Sequence, residues 1–300
     1  MTPCQRILVP LDGSSLAERA IPPAIALAQA FAAAEPCELH ILRVVPPIMV
    51  ALDPTLYTET IHLGEEESKS YLETVAIEYE DSGVPIITAA ETGSVAETIV
   101  NYAQENKTDL IVISSHGRSG VSRWVYGSVT DKVLRQSCCA TLIIREQIEQ
   151  IAGKFKKIVV CLDGSQLAEQ VLETALSLAQ CSQAEIILLR IVEPASLLFD
   201  METADQVQES VNALERGEAE AYLNNLMQTL PQTPGILTAH TLMGPPADTI
   251  IDFAKEEQVD LIAMSSHGRS GISRWVYGSV TEKVMRGAAC ATLIMHEQEP

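Results

Sequence analysis

The chain has 300 residues, of which 47% are hydrophobic, and a formal net charge of −20. An acidic surface repels nucleic acid and anionic lipid, so we expect no DNA, RNA or membrane partner. No stretch resembles a signal peptide or has the roughly 18 uncharged apolar residues of a membrane span, which predicts a cytoplasmic protein. Its seven cysteines lack metal-ligand spacing, which indicates reduced thiols. We interpret Cys138 and Cys139 as packing residues at the start of a strand, with a redox role as the alternative.

A long repeat divides the chain in two. Aspartates in matching LDGS strings, Asp12 and Asp163, lie 151 residues apart. A repeat of this length indicates a duplicated domain, because solenoid repeats have periods of roughly 20–50 residues. We predict two like domains, residues 1–149 and 153–300, that pair with each other and are joined near the polar stretch 146–157.

Each half alternates strand and helix signals in one order. The predicted strands of the first half are residues 6–12, 38–45, 85–93, 110–115 and 140–146, and those of the second half are 157–163, 185–192, 236–244, 261–266 and 291–297. The helical patterns between them are residues 16–31, 59–82, 94–106 and 127–137, then 166–180, 203–229, 246–257 and 278–288. Pro22 and Pro23 should kink or delay the first helix. Apolar strands alternating with amphipathic helices predict an α/β fold, with an open parallel five-stranded sheet in each half and helices on both faces.

The most unusual string, SSHGRSGVSRWVYGSVT at 114–130, returns at 265–281 with a single change. Each copy leaves a buried strand through a glycine turn and ends at a glycine and a serine that start a helix. Free N–H groups at a helix start bind anions, so the string predicts a cradle for linked phosphates. The alternative is a plain loop with a helix cap, which needs no ligand. Ligands of parallel sheets bind beyond the strand ends, where Asp12 or Asp163 would face the same crevice.

Eight of the twenty Lys and Arg residues form two local basic islands in this acidic chain. They are Arg118, Arg123, Lys132, Arg135, Arg269, Arg274, Lys283 and Arg286. The arginines within the string either contact phosphate or are exposed charge. His116 and His267 are interpreted as hydrogen-bonding spacers at a tight turn, with acid–base chemistry as the alternative. Trp124 and Trp275 are predicted to anchor a neighbouring domain or subunit, with stacking on adenine as the alternative.

The spacing HG, nine residues, GS resembles the end of the G-2x-G-9x-G(S/T) motif of ATP-binding universal stress proteins. The LDGS strings, the LRVV and LRIV strands and the closing ATLII and ATLIM strands also resemble that family, along essentially the whole chain. One departure is that Ser114 and Ser265 stand where the motif has its first glycine. The resemblance implies an adenine nucleotide alpha hydrolase-like fold with strand order 3-2-1-4-5 and ATP lying across strands one and four, with Mg²⁺ on the phosphates.

Carried over by position, the resemblance implies ATP-binding residues in each half. In the first half they are Pro10, Asp12, Val44, Ser114, Gly117, Gly127, Ser128 and Val129. In the second half they are Asp163, Ile191, Ser265, Gly268, Gly278, Ser279 and Val280. Cys161 replaces Pro10 in the second half, so we expect two sites of similar but unequal strength. No catalytic residue and no protein-held metal are expected.

The resemblance implies a non-enzymatic, nucleotide-dependent regulator of the stress response that acts on a protein partner. One alternative is a slow ATPase or a phosphoryl- or adenylyl-transferring enzyme. Another is a nucleotide-independent assembly or chaperone-like module. Homodimerisation is a further expectation beside the pairing of the two domains.

Overall fold

The computed structural model describes residues 4–32, 35–47, 54–115, 127–145, 155–194, 204–231, 235–268 and 277–296. The elements of the first half are β1 (Arg6–Leu11), α1 (Ser15–Glu18), α2 (Ile21–Phe31), β2 (Glu38–Val45), α3 (Pro54–Glu78), a 3₁₀ turn (Glu80–Ser82), β3 (Ile86–Thr92), α4 (Val95–Glu105), β4 (Leu110–Ser114), α5 (Ser128–Gln136) and β5 (Ala140–Ile144). Those of the second half are β6 (Lys157–Cys161), α6 (Gln166–Ser182), β7 (Glu185–Val192), α7 (Ala204–Thr229), β8 (Leu237–Met243), α8 (Pro246–Glu256), β9 (Leu261–Ser265), α9 (Ser279–Gly287) and β10 (Ala291–Met295).

Each half forms a parallel five-stranded sheet. The strand order is β3-β2-β1-β4-β5 in the first half and β8-β7-β6-β9-β10 in the second. Neighbouring strands within each half pair in parallel, for example Arg6 with Glu38 and Leu110 with Ala140. The predicted α/β class and the order 3-2-1-4-5 are therefore confirmed for both halves.

The chain divides into two compact units, which correspond to the two halves apart from short segments near the C-terminus. Central strands are buried on both faces, as helix-covered parallel sheets require, and Ile7, Leu8 and Val9 of β1 are fully inaccessible. The edge strand β3 is more exposed and more polar. The predicted linker falls largely outside the described residues, so the domain boundaries stay a prediction.

Prolines explain why the first helix differs between the halves. In the first half the chain leaves helical pairing after α1 and begins α2 at Ile21, with Pro22 and Pro23 in its first turn. A proline deeper inside a helix would lose a hydrogen bond and clash with the preceding turn, whereas the first turn needs no such bond. The second half lacks these prolines, and α6 runs unbroken from Gln166 to Ser182. The predicted delay is confirmed.

Candidate functional site

The strand order reverses beside β1 and β6, the central strands of the two halves. β1 lies between β2 and β4, and the chain leaves these neighbours in opposite directions. A crevice forms at such a point because the helices that follow the two strands cover opposite faces of the sheet. Asp12 follows β1 directly, and Asp163 lies two residues beyond the end of β6. Both predicted aspartates therefore lie at the carboxyl edge, at the point where ligands bind in this architecture.

A tight turn after each aspartate sets its orientation. Gly13 has a φ of 81° and Gly164 a φ of 85°, left-handed values that other residues adopt only with strain. This turn brings the backbone N and the hydroxyl of Ser14 to 2.9 and 2.6 Å from Oδ1 of Asp12. The matching distances from Ser165 to Oδ1 of Asp163 are also 2.9 and 2.6 Å.

The same serines cap the helices that follow. Oγ of Ser14 accepts a hydrogen bond from Ala17 N at 3.2 Å, and Oγ of Ser165 accepts one from Ala168 N at 3.2 Å. Each hydroxyl thus donates to a carboxylate and accepts from a helix N–H. The aspartate is therefore held by the start of a helix.

The starts of α5 and α9 are fastened to the neighbouring strands β4 and β9. The backbone N of Gly127 donates to the Ser115 carbonyl at 3.2 Å, and the hydroxyl of Thr130 donates to the Ser114 carbonyl at 3.3 Å. In the second half Gly278 N lies 3.0 Å from the Ser266 carbonyl, and Thr281 Oγ1 lies 3.0 Å from the Ser265 carbonyl. These bonds place the positive N-terminus of each helix at the same edge as the aspartate.

One cavity in each half collects the predicted residues that the structure describes. The first, of about 260 Å³, is lined in part by Pro10, Asp12, Val44, Ser114, Gly127, Ser128 and Val129. The second, of about 340 Å³, is lined in part by Asp163, Ile191, Ser265, Gly268, Gly278, Ser279 and Val280. Gly117 lies outside the described residues.

The second cavity shows why a glycine stands at 268. A Cβ there would lie 2.7 Å from Oδ2 of Asp163, closer than an ordinary contact allows. Ser265, which replaces the first glycine of the motif, donates its hydroxyl to the His267 carbonyl at 2.6 Å. The serine therefore fits the turn by bonding to its backbone.

Sequence reasoning missed the apolar floor of both cavities. Val95 and Ile99 of α4 line the first, and Pro246 and Ile250 of α8 line the second. Each pair is spaced four residues apart, so both side chains lie on one helix face. The sequence does carry a sign of this arrangement. Each of these helices follows a glycine that ends the third predicted strand, so its first turns lie at the carboxyl edge of the sheet.

The cavities differ on the side of the central strand. Cys161 lines the second cavity where Pro10 lines the first, and burial raises the pKa of this thiol, so it stays neutral. Glu193 and His267 also line the second cavity, and the ring Nδ1 of His267 lies 3.0 Å from Ser266 Oγ. This contact fits the predicted spacer role of His267.

The positive charge of the two basic islands is partly neutralised by neighbouring acidic side chains. Arg135 pairs with Asp131 at 3.0 Å and Arg286 pairs with Glu282 at 2.6 Å, each along one turn of its own helix. These two arginines are neutralised by the acids of their own islands. The predictions for His116, Trp124, Trp275 and the arginines within the repeated string lie outside the described residues.

A polar cluster beside each site was also not predicted. The Tyr71 hydroxyl donates to Glu18 at 2.6 Å, and the Arg43 guanidinium lies 4.8 Å from the centre of the Tyr71 ring. The second half repeats the arrangement with Tyr222, Glu169 and Arg190. Burial and the neighbouring glutamate raise the pKa of both tyrosines, so their hydroxyls stay protonated donors. The cluster joins the long helix, α3 or α7, to the helix that follows the aspartate, α1 or α6.

Comparison with known proteins assigns the family. The model of the universal stress protein family matches residues 3–145 and again residues 154–296. The chain belongs to the universal stress protein family. It carries two universal stress protein domains in tandem, as the repeat predicted.

The relatives include proteins with two such domains' length and proteins about half as long. A universal stress protein of Mycobacterium bovis is 23% identical over 272 residues, which cover 86% of this chain and 87% of the relative. The universal stress protein YxiE of Bacillus subtilis is 32% identical over 148 residues, which cover 47% of this chain and 99% of YxiE. The crystal structure of a universal stress protein from Archaeoglobus fulgidus superposes with a TM-score of 0.72 and 18% identity, covering 100% of both chains. That last likeness concerns the fold alone.

Within the described residues, no helix is both long and apolar enough to cross a membrane.

Proposed function

We propose that each universal stress protein domain binds one ATP at the carboxyl edge of its sheet, and that the protein acts as a non-enzymatic, nucleotide-dependent regulator in the cytoplasm. One observation carries this proposal. In both halves an aspartate held by a helix cap and the N-terminus of a second helix converge on a single cavity with an apolar floor.

The residues that line each cavity suit the base, the ribose and the phosphates of the nucleotide. Leu42 and Val44, together with Ile99 of the apolar floor, provide apolar surface against which adenine can pack in the first site. Asp12 offers carboxylate oxygen to ribose hydroxyls, and the start of α5 with the Ser128 hydroxyl offers donors to phosphate oxygens.

Magnesium, where present, would be carried by the nucleotide. Among the described residues, no group of three or more His, Cys, Asp or Glu side chains is placed to hold a metal ion. Phosphate oxygens are ligands that Mg²⁺ prefers, so the ion would enter with ATP. The chain's own part would be to orient the phosphates through backbone N–H groups and the serine hydroxyl.

The interactions available are sufficient for useful affinity. A hydrogen bond to a charged oxygen contributes about 1.5–3 kcal/mol, and micromolar binding corresponds to about 8 kcal/mol. Four or five such donors with a buried base reach that value after the cost of association. A one-methylene change in the apolar wall, Val44 against Ile191, is worth about 0.8 kcal/mol, or roughly fourfold in affinity. We therefore propose two occupied sites of unequal strength.

The test is the identity and stoichiometry of nucleotide in protein purified without added ATP. Protein denatured in acid should release adenine nucleotide at up to two molecules per chain. A chain that releases none and binds none on titration would overturn the proposal and favour an assembly or chaperone-like module. Phosphate release from added ATP, followed over hours, separates the regulator from a slow ATPase. A regulatory protein partner and a homodimer stay predictions.

A further inference from the structure

A group of cysteines lies at the opposite, amino-terminal edge of the first sheet. Cys4 precedes β1, Cys37 precedes β2, and Cys138 and Cys139 precede β5. Parallel strands begin at one edge, so the topology gathers residues that are far apart in the chain. Cys37 and Cys139 are buried, with 2% and 4% of their surfaces exposed, while Cys4 is half-buried and Cys138 is exposed.

Two of these thiols, Cys4 and Cys37, lie on adjacent backbone segments. Glu38 N donates to the Gln5 carbonyl at 2.8 Å, so the segments that lead into β1 and β2 run side by side. Cys4 and Cys37 lie directly beside this bond, one residue before Gln5 and one residue before Glu38, so the two thiols belong to adjacent segments. Interaction with Cys37, burial and the nearby Cys139 raise the pKa of the Cys4 thiol.

The second half shows that the fold does not need this pair. Phe155 stands two residues before β6, as Cys4 does before β1, and Ala184 stands directly before β7, as Cys37 does before β2. Phe155 and Ala184 are fully buried, so an apolar pair fills the same place in the duplicate. The thiol pair is therefore a feature of the first domain alone.

We propose that Cys4 and Cys37 form a redox-active dithiol, which a low-molecular-weight disulfide closes to a bond between them. The Cys4 thiolate attacks one sulfur of the small disulfide, forms a mixed disulfide and releases one thiolate. The Cys37 sulfur then attacks the Cys4 sulfur and releases the second small thiolate, and the two protein protons pass to the released thiolates. Two protein thiols lose two electrons in total, and one small disulfide is reduced to two thiols.

Geometry disfavours two other uses of the cluster. Consecutive Cα atoms lie about 3.8 Å apart, below the roughly 4.4–6.8 Å that a disulfide spans, which disfavours a bond between Cys138 and Cys139. A metal site is not supported either, since among the described side chains no cluster of three or more ligands is placed for one.

Cys4 and Cys138 should react with the small disulfide at different rates. Interaction with Cys37 and burial raise the pKa of Cys4, so its thiolate is scarce at neutral pH and closure is slow. The hydrogen bond from Cys139 lowers the pKa of Cys138 to about 6. Cys138 should therefore react first and report that the oxidant has reached this edge.

The experiment uses the full chain, fully reduced and then equilibrated at mildly alkaline pH with glutathione buffers of increasing oxidised fraction. Thiols are blocked by alkylation, and peptides are identified by mass spectrometry. We expect a cross-linked Cys4–Cys37 peptide, with glutathione on Cys138. The closed form should unfold roughly 5 °C or more higher, because the bond closes a loop of more than thirty residues.

Matched variants locate the bond. Cys37→Ala, which copies the second half, should abolish the cross-link, and Cys138→Ala should leave it intact. The double variant Cys4→Phe with Cys37→Ala keeps the packing of the duplicate and should show no redox-dependent melting. Complete modification of Cys138 in the unmodified chain without any Cys4–Cys37 cross-link would overturn the proposal, as would a bond from Cys4 to Cys139 instead.

Discussion

Replacing Gly268 by alanine probes the contact between the glycine turn and the aspartate of the second site. The new Cβ would lie 2.7 Å from Oδ2 of Asp163. The carboxylate cannot simply rotate away, because its Oδ1 is held by the backbone N and the hydroxyl of Ser165 at 2.9 and 2.6 Å. Either the turn or the carboxylate must shift, and the carboxylate is the group proposed to hold the ribose.

The magnitude follows from the bond at risk. A hydrogen bond to a charged group contributes about 1.5–3 kcal/mol, so its loss should weaken nucleotide binding at this site roughly 12- to 150-fold. Crowding of a packed contact also costs stability, typically about 1–3 kcal/mol. Because this substitution does not touch Asp12, the first site should keep its affinity for ATP.

Calorimetric titration of the full chain with ATP measures both sites at once. The chain without substitutions should show two binding events. In Gly268→Ala the event at the first site should be unchanged and the event at the second site should be weakened. Gly217→Ala is the matched control, because a Cβ on this exposed helical glycine meets nothing within 4 Å. It should leave both affinities unchanged and stabilise the fold slightly. Two undiminished sites in the Gly268 variant would refute the assignment of Asp163 to the ligand.

Three further outcomes are expected. Gly127→Asp should weaken only the first site, because it places a carboxylate at the start of the helix proposed to hold the phosphates. An unchanged ATP affinity at that site, measured by calorimetry, would contradict the proposed phosphate site. Asp12→Ala and Asp163→Ala should each weaken only their own site, and loss at both sites in either variant would show coupled halves. Hydrogen bonds from Arg6 and His40 lower the pKa of Glu38 in the folded protein below its ordinary value of 4.5. The ionised carboxylate therefore stabilises the fold above pH 4.5. This stabilisation is lost as the pH falls through the lower pKa of the folded state. Glu38→Gln should therefore flatten the acid limb of stability measured by urea unfolding between about pH 3 and 6, and an unchanged limb would contradict it.

The repeat made the fold predictable from sequence. Each strand could be located twice, and an apolar run such as that of β1 indicates a buried parallel strand wherever it recurs. Asp12 and Asp163 end such runs, so the sequence alone predicts that they lie at the carboxyl edge. The described residues predicted for the two sites line the two cavities because strand order and helix starts follow from this pattern.

Contacts between distant segments could not be predicted in the same way. Tyr71 meets Glu18 across 53 residues, and nothing local to either residue indicates the pairing. The thiols of Cys4 and Cys37 lie on adjacent segments only because parallel strands start at one edge. By contrast, the pairing of Arg135 with Asp131 was visible as a spacing of four residues on one helix, and the island interpretation overlooked it.

The two edges of the first sheet are joined by β1, which begins just after Cys4 and ends just before Asp12. This strand spans about 20 Å at the usual rise per residue, and its pairing with β2 runs without interruption from Arg6 to Leu11. A disulfide between the segments leading into β1 and β2 would join neighbours that already run side by side, so neither strand needs to slide. We therefore expect ATP affinity at the first site to be the same with the thiols open or closed, while thermal stability differs. Titrations of the reduced and oxidised chain would check this, with Cys37→Ala as the control. A several-fold change in affinity on closure, absent in that variant, would show that β1 transmits strain from one edge to the other.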